Sequence, residues 1–570
     1  MVQRGCFLNT ILAVLILQAH FFVQEKIWRK PQKRHEKYRQ YDHWKCINLD
    51  LPDKLKPSLW EWEESDLEEY PWTETDVPPH PRREPRFPGA LSVERVREIF
   101  RDCADFATRR VEIGGAGVPV TLCYITGMVK LERVSEYVLR PLAQDDSLEG
   151  DNRRSVYRRM AEGALYNLIT AERTTLDQAV NDLIAGWCLL FFPGESGCLS
   201  FFVATEDKRS ISPPESETVL KGARDGFVES LRTNTSLVRR HLKAPELKIK
   251  EQIVGRQSLT MVDVLYLEGI ANPETVRAVE ERLAEIDIDA ALATGNLEEY
   301  LVDRTGTPFP LVQYTERPDR FCGGLSEGRV GLLADGLPLG YLMPGTVGSF
   351  LRSGQDKSSN WMLATMLTLL RFLCVLVTLL LPALYIAMVT FHQEMIPTRL
   401  ALSIIAAKRD VPFQTVIEVL ILLIAFEILQ EAGLRLPQSI GQTVSIIGGL
   451  VVGQAAVEAK IVSPAVLIAV AIAGIAGYTM PSQEMAAALR LWRFLLALLA
   501  SVAGLFGVTG GLAALIFHLA EIESYGVPYL APFAGGLGLR RAGRAVVRLP
   551  LPWIKLRERT LKTPNRRKQQ

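Results

Sequence analysis

The segment FEILQEAGLRLPQSIGQTVSIIGGLVVGQAAVEAKIVSP (residues 426–464) sets glycine, proline and carboxylate residues inside the most apolar third of the chain. It belongs to residues 382–532, in which apolar runs long enough to cross a bilayer alternate with such breaks. Lipid offers no hydrogen bonds to an irregular backbone, so a broken helix at membrane depth needs surrounding protein or a water-filled path. The pattern therefore predicts an α-helical polytopic membrane domain that does more than anchor the chain.

The composition of the whole chain limits the classes of function. At 570 residues the chain is long enough for several domains. Lys and Arg number 65 and Asp and Glu 64, so the net charge of +1 does not indicate a nucleic-acid partner. The eight cysteines form no C-x-x-C pair, which argues against a zinc or thioredoxin-type site and favours buried free thiols. We expect no metal and no cofactor.

Residues 1–90 are predicted to hold an apolar run followed by a disordered linker. The run, residues 6–23, is open to three interpretations: a membrane anchor, a signal peptide with a poor cleavage site, or upstream sequence included by a misassigned start. The linker is rich in Trp, Glu, Pro and Arg and has no periodicity, which is typical of disorder.

Strand and helix patterns alternate from residue 91 onward. We divide this region into a first globular α/β subdomain, residues 91–212, and a second one, residues 213–350. Hairpins are predicted around residues 193–194 and 335–336, and a helix is predicted to start at residues 272–273. Similar turns in the two halves indicate an internal repeat. The expected fold is therefore an α/β N-terminal soluble domain of two related subdomains, followed by the helical membrane domain.

Three arginines near the start of the second subdomain, Arg232, Arg239 and Arg240, raise the question of a phosphate or nucleic-acid site. No aromatic residues are interleaved with them, and no Gly-rich phosphate loop accompanies them. We therefore favour a solvated charged helix, whose acidic partners would be Glu217, Asp225 and Glu229.

A membrane domain of about four to six helices is predicted for residues 360–534. Its apolar runs cover residues 362–391, 413–431, 437–461, 463–480 and 488–520. An odd number of crossings would place the soluble domain and the strongly basic tail, residues 535–570, on opposite sides of the membrane. We therefore expect the Gly-rich segment to be re-entrant or to cross only in part, which leaves both soluble ends in the cytoplasm.

Polar groups at membrane depth are the candidate functional groups, because each is costly there unless it is paired or hydrated. Glu418 and Glu427 face opposite sides of one apolar helix, whereas Glu427 and Glu431 share a face. The candidates for an ion path or its gate are Glu427, Glu431, Glu458, Gln442, Gly448, Gly449, Gly453 and Gln454. The alternative is that the glycines serve ordinary helix packing and that the carboxylates cap helix ends or pair with Arg435, Lys460 or Arg490.

The sequence contains no catalytic constellation. It has no Walker-type loop, no nucleophile elbow and no paired metal ligands, and the HQE triplet at residues 392–394 lacks the H-E-x-x-H spacing of a metalloprotease. We expect the protein not to be an enzyme.

Three long segments resemble the A subunit of the GerA-type spore germinant receptors. They are LPALYIAMVTFHQEMIPT (381–398), the opening segment (426–464) and SYGVPYLAPFA (524–534). The similarity continues in order through roughly residues 91–534. The chain departs from the family pattern in residues 1–90, in residues 351–360 and in the basic C-terminal extension.

The resemblance implies a subunit of a nutrient-sensing complex in the spore inner membrane. The span count given above places its soluble domain on the cytoplasmic, spore-core side. Its implied partners are membrane lipid, a multi-span B subunit that binds the nutrient, a lipoprotein C subunit, and further A subunits in an ion-conducting oligomer. Amino acids, sugars or nucleosides would trigger germination, with release of monovalent cations.

A hypothesis from a different class is a secondary transporter with a regulatory cytoplasmic domain. Broken helices near midplane carboxylates are equally typical of transporters. A transporter predicts coupled uptake and an inverted hydropathy repeat, which the sequence does not show. A channel predicts passive flux that is gated by a partner.

Overall fold

The computed structural model describes residues 86–87, 89–113, 117–141, 153–162, 169–204, 222–292, 294–435, 453–533 and 546–568. The apolar run and nearly all of the linker within residues 1–90 lie outside these ranges, as does most of the Gly-rich segment at 437–461. In the described parts an α/β domain precedes a bundle of helices, which confirms the predicted fold class.

The first subdomain is built on a five-stranded antiparallel sheet. The strands are β1 (Phe106–Ile113), β2 (Val118–Ile125), β3 (Thr170–Arg173), β4 (Trp187–Phe191) and β5 (Cys198–Phe202), and three helices are α1 (Val93–Ile99), α2 (Arg153–Ala161) and α3 (Leu176–Ile184). A π-helix spans Val134–Leu139. The strand order is β1-β2-β4-β5-β3. Strands β4 and β5 pair across the turn at residues 192–197, which confirms the predicted hairpin.

The second subdomain repeats this arrangement. Its strands are β6 (Leu247–Val254), β7 (Thr260–Leu267), β8 (Gln313–Thr315), β9 (Val330–Ala334) and β10 (Gly340–Met343), and its helices are α4 (Leu231–His241), α5 (Pro273–Glu285), α6 (Thr294–Leu301) and α7 (Pro318–Glu327). The order β6-β7-β9-β10-β8 matches that of the first sheet position by position, which confirms the internal repeat. Helix α5 starts where predicted, because the Asn272 side chain accepts a hydrogen bond from the Glu274 backbone N–H at 3.1 Å.

Helix α4 joins the two subdomains, and the prediction that it is solvated was wrong. The Arg239 side chain is fully buried and donates hydrogen bonds of 2.7 and 2.8 Å to the Asp105 carboxylate in the first subdomain. Arg232 pairs with Glu251 of β6 rather than with the acids next to it in sequence. A buried charge is costly unless it is paired and hydrogen-bonded. Here the paired carboxylate lies 134 residues away in the chain, which no local pattern indicates.

The C-terminal half of the chain is helical. Its helices are α8 (Val347–Phe350), α9 (Gly354–Ser358), α10 (Trp361–Thr390), α11 (Thr398–Lys408), α12 (Thr415–Arg435), α13 (Gly453–Glu458), α14 (Pro464–Gly477) and α15 (Gln483–Glu521). By length and composition, α10 and α15 could each cross a membrane. Pro382 is buried inside α10.

Helix α15 reverses direction at Gly504, so the prediction of one long crossing at residues 488–520 was wrong. Gly504 has φ 56° and ψ −135°, a conformation that glycine tolerates best. The rings of Trp492 and His518 lie 5.9 Å apart, whereas a straight helix would separate these positions by about 39 Å. Hydropathy could not reveal the reversal, because both arms are apolar. The run is a helical hairpin with arms at residues 483–503 and 505–521.

The hairpin is held at both of its ends. Its turn lies against the end of α10, where a Cβ atom on Gly504 would come within 2.9 Å of the Phe391 Cβ. Its second arm returns to the soluble domain, where His518 lies 3.0 Å from the Thr307 hydroxyl and Glu521 forms a 3.2 Å ion pair with Arg304.

Residues 546–568 of the basic tail fold back onto the second subdomain. The Arg557 Nε donates to the Ser326 carbonyl at 2.9 Å, and the Arg548 Nη1 donates to the Ser359 carbonyl at 2.7 Å. Thr563 is buried directly beside Gly328. The described part of the tail and the soluble domain therefore lie at the same end of the helical bundle.

Candidate functional site

Glu427, on the fourth turn of α12, lies between two arginines of the first arm of α15. Its Oε1 is 3.3 Å from the Arg490 Nε, and its Oε2 is 3.7 Å from the Arg493 Nη2. Arg490 also donates to the Gln430 side-chain oxygen. The Arg493 side chain is 3% exposed and that of Glu427 is 39% exposed. The carboxylate therefore offsets a buried positive charge, and it has the pairing with Arg490 that the sequence offered as the alternative to an ion path.

The other predicted side chains do not gather around Glu427. Glu431 lies one turn further along α12 and is exposed, and Gln454 and Glu458 are exposed on the short helix α13. Gly453 is buried, and a Cβ atom there would lie 3.5 Å from the Leu467 side chain of α14, which is ordinary packing distance. Three further candidates, Gln442, Gly448 and Gly449, lie outside the described residues.

Glu418 is the carboxylate that the structure places fully in the interior, although it was not among the candidates. Its side chain is 0% exposed, and its Oε2 accepts a hydrogen bond from the Ser463 backbone N–H at 2.8 Å. It thereby caps the start of α14, where backbone donors lack helical partners. Its Oε1 lies 3.4 Å from the Lys408 Nζ, which also donates to the Thr415 hydroxyl. One carboxylate thus joins α11, α12 and α14.

A weak sequence signal for Glu418 did exist. It is an acid in the first turn of a long apolar helix, on the face opposite Glu427. An acid at that depth requires a donor, but the donor lies 45 residues further along the chain.

A cavity of about 540 Å³ lies beside Lys408. It is open on one side and is lined by the end of α10, by α11 and by the start of α12. Its lining combines apolar residues such as Ile404 and Phe413 with Gln393 and Thr415. Helix α11 covers one side of it and has no buried residue. In the described ranges no group of three or more His, Cys, Asp or Glu residues could hold a metal ion.

The SYGVPYLAP segment (residues 524–532) fixes the bundle to the soluble domain. The Ser524 hydroxyl donates to the Leu311 carbonyl at 3.3 Å, and the Tyr525 hydroxyl donates to the Leu301 carbonyl at 2.7 Å. The Arg282 guanidinium lies 4.4 Å from the centre of the Tyr525 ring. Because the segment follows α15 directly, a displacement of the soluble domain would be passed to the hairpin.

Comparisons with known proteins match most of the sequence of this chain. The family model described as the Bacillus/Clostridium GerA spore germination protein matches residues 94–560. The chain is 37% identical over 444 residues to the uncharacterized membrane protein YfkQ of Bacillus subtilis (77% of this chain and 85% of that protein). It is 37% identical over 446 residues to spore germination protein KA of the same organism (78% and 81%). The crystal structure of the N-terminal domain of the A subunit of the Bacillus megaterium spore germinant receptor GerK3 aligns with 28% identity and a TM-score of 0.35, over 45% of this chain and 97% of that domain.

Proposed function

Since this chain belongs to the Bacillus/Clostridium GerA spore germination protein family, we propose that it is an A-type subunit of a nutrient-sensing receptor that starts spore germination. The family match supports the proposal because it extends through both the α/β domain and the helical bundle. The relatives include spore germination protein KA. We further propose that this subunit forms or gates an ion-conducting oligomer.

The hairpin supports gating more directly than any other observation. Its second arm ends in two polar contacts with the soluble domain, Glu521 with Arg304 and His518 with Thr307, and its turn lies against α10. A rotation of the soluble domain would pull on this arm and shift the bundle. Interfaces of packed helices commonly switch between discrete arrangements in this way.

We propose a multi-pass location in the spore inner membrane, with the soluble domain on the cytoplasmic side. The outward faces of α10 and α15 carry exposed large apolar side chains, among them Leu373, Phe506 and Phe517, which suit contact with lipid. The hairpin crosses twice in this arrangement, so α15 begins and ends on the side of the membrane that holds the soluble domain. The docked tail supports the same conclusion, because Arg557 contacts the soluble domain directly.

The partners we propose are a multi-span B subunit that binds the nutrient, a lipoprotein C subunit and further copies of this chain. This part of the proposal follows from the resemblance of the family segments. We propose no enzymatic role, in line with the absence of a recognisable catalytic motif from the sequence.

The test is a spore in which this receptor operon is the only germinant receptor left. Potassium release from single spores would be followed after each of a panel of nutrients, with the gene deleted and then restored as wild type, Glu427→Gln, Glu431→Gln or Glu458→Gln. We expect release to depend on the gene, and a variant that is made at normal levels but fails would locate the path. Nutrient-driven uptake coupled to ion entry, without passive release, would instead establish the transporter.

A further inference from the structure

The cavity beside Lys408 lies at the end of the bundle that is far from the soluble domain. Helix α10 starts at Trp361, directly after the residues that the docked tail contacts, and it reaches the cavity with Val389 and Thr390. Its 30 residues span about 45 Å, and a bilayer with its headgroups is about 40–45 Å thick. In the membrane location proposed above, on which this inference rests, the cavity lies at the headgroup level of the opposite leaflet.

Helix α11 lines the cavity with one face and is uncovered on the other. Ala401, Ile404 and Ile405 contribute apolar groups to the lining. None of the residues of α11 is buried, and Leu400 and Leu402 are 53% and 62% exposed. A helix with apolar side chains on its outer surface is suited to the boundary between headgroups and acyl chains. The apolar lining and the open side of the cavity therefore fit a hydrocarbon chain from the adjacent lipid.

Lys408 is the charged group among the described lining residues. An ammonium group has three N–H donors. One of them donates to the Thr415 hydroxyl, whereas the Glu418 Oε1 lies 3.4 Å away and forms no hydrogen bond. The Lys408 side chain is also 27% exposed. In the part of the chain that the structure describes, the ammonium group therefore keeps donors for an acceptor inside the cavity.

The surroundings of the cavity carry a surplus of positive charge. Arg399 in the first turn of α11 and Arg409 directly after its end are both exposed, and neither forms an ion pair within the described ranges. Asp410 is already paired with Lys460 at 2.6 Å. Glu394, in the turn before α11, offsets only one of the two arginines. Exposed basic residues beside a membrane attract anionic headgroups rather than neutral ones.

We propose that this cavity binds an anionic phospholipid, with one acyl chain against α11 and the phosphate at Lys408. Its volume of about 540 Å³ lies within the range of about 300–1,000 Å³ that is typical of ligand sites. Lys408 is also the ion-pair partner of Glu418, which caps α14. A lipid phosphate at Lys408 therefore stabilises the place where α11, α12 and α14 meet.

The experiment uses the full-length chain purified in detergent, to which phosphatidylglycerol, phosphatidylcholine with the same acyl chains, or inorganic phosphate is added. Native mass spectrometry measures the lipid that is retained, and thermal unfolding measures its effect on stability. We expect phosphatidylglycerol to raise the Tm by about 3 °C or more above the value in phosphatidylcholine, because a ligand of the native state stabilises it. Inorganic phosphate should have no effect, because it lacks the chain that fills the cavity.

One pair of variants tests the position of the acyl chain. Ala401→Phe fills the cavity from α11 and should weaken the apparent affinity for phosphatidylglycerol by about tenfold or more. Ala407→Phe places the same ring at an exposed position of α11 that does not line the cavity. It is the matched control and should bind the lipid like the wild type.

The position of the phosphate is tested by combining Lys408→Gln with Glu418→Gln. Removing both charges avoids a buried acid without its cation, and the amide at position 418 can still accept from the Ser463 N–H. This double variant should fold and should bind phosphatidylglycerol no better than phosphatidylcholine. Lys408→Arg, which keeps the charge, should retain the preference.

Four results would overturn the proposal. They are an equal Tm of the wild type in the two lipids, an equal effect of inorganic phosphate, full binding by Ala401→Phe, and an unchanged preference in the double variant. A chain that stays in solution without detergent would overturn it together with the proposed membrane location. None of these measurements depends on germination, so their failure leaves the proposed receptor role to its own test in spores.

Discussion

The carbonyl oxygen of Leu499 lies 2.1 Å from the point that a Cβ atom on Gly507 would occupy. In a straight helix these two positions would be about 12 Å apart. The approach exists because the chain turns back at Gly504, and only a residue without a side chain at position 507 allows the two arms to close. The hairpin therefore depends on glycine for its turn and for its closest contact.

We predict that Gly507→Ala destabilises the protein by about 1–3 kcal/mol, because the methyl group would overlap backbone rather than a movable side chain. Gly510 lies in the same arm, and a Cβ atom there would meet nothing within 4 Å. Gly510→Ala is the matched control and should unfold like the wild type in detergent. Equal unfolding temperatures for the two variants would contradict the hairpin.

We predict that Glu427→Gln lowers stability by about 2–4 kcal/mol, because Arg493 would remain buried without its carboxylate. Glu427→Gln combined with Arg493→Gln should lose less than the two single changes together. Unfolding of all four proteins in a double-mutant cycle measures this coupling. Glu458→Gln, which changes an exposed acid, should have no effect. Additive losses would show that the pair does not interact.

We predict that the loss of stability on changing Glu418 depends on whether the new side chain can still accept a hydrogen bond. Glu418→Gln keeps a side-chain oxygen for the Ser463 N–H and loses only the ion pair with Lys408, so the cost should be about 1 kcal/mol. Glu418→Leu removes the cap as well and should cost about 2–3 kcal/mol. Thermal unfolding in detergent compares them. Two variants of equal stability would mean that the cap contributes nothing.

We predict that Asp105→Asn weakens the joint between the subdomains by about 3–5 kcal/mol, because Arg239 is fully buried. The Arg95–Glu98 pair has the same 2.7 Å separation but is exposed on both sides. Glu98→Gln should therefore cost at most about 0.5 kcal/mol. Limited proteolysis between the subdomains, together with unfolding curves, would show the difference. Similar losses in both variants would contradict the importance of burial.

The pH dependence of stability should report on Asp263. Burial raises the pKa of this carboxyl to about 7, although Arg232 lowers it in part. The unfolded chain has a value of about 3.9. Between these values the folded protein binds the extra proton, so the contribution of Asp263 to stability falls as pH rises from about 4 to 7.

Asp263→Asn should therefore raise Tm at pH 8 and change it little at pH 5. Both carboxylate oxygens lack hydrogen-bond partners, so the amide loses no such bond. The exposed Glu281→Gln is the control and should show no such pH dependence. A larger stabilisation by Asp263→Asn at pH 5 than at pH 8 would contradict the raised pKa of the Asp263 carboxyl.

Local patterns in the sequence predicted much of the fold, because helix starts and hairpin turns are stabilised by interactions between residues that are neighbours in the chain. Asn272 and Pro273 start α5 through a cap and a fixed φ angle, which are properties of neighbouring residues. The two β-hairpins depend on turns of a few residues between alternating strands. The repeat of strand order was indicated by similar turns in the two halves.

The candidate site was harder to predict, because the burial of each acid depends on a bonding partner that is distant in sequence. Hydropathy and spacing identified acids in the apolar half but could not say that Glu418 meets Ser463 or that Glu427 meets Arg493. The family segments, in contrast, identified the family correctly, because long ordered motifs do not require contacts to be known.

The sequence alone therefore determined the class of fold, the order of the domains and the family. Tertiary structure decided which acids are buried, that Arg239 is paired with Asp105, and that α15 turns back at Gly504. The reason is physical: secondary structure arises from interactions between residues close in the chain, whereas the free energy of a buried charge depends on which distant residue supplies its partner.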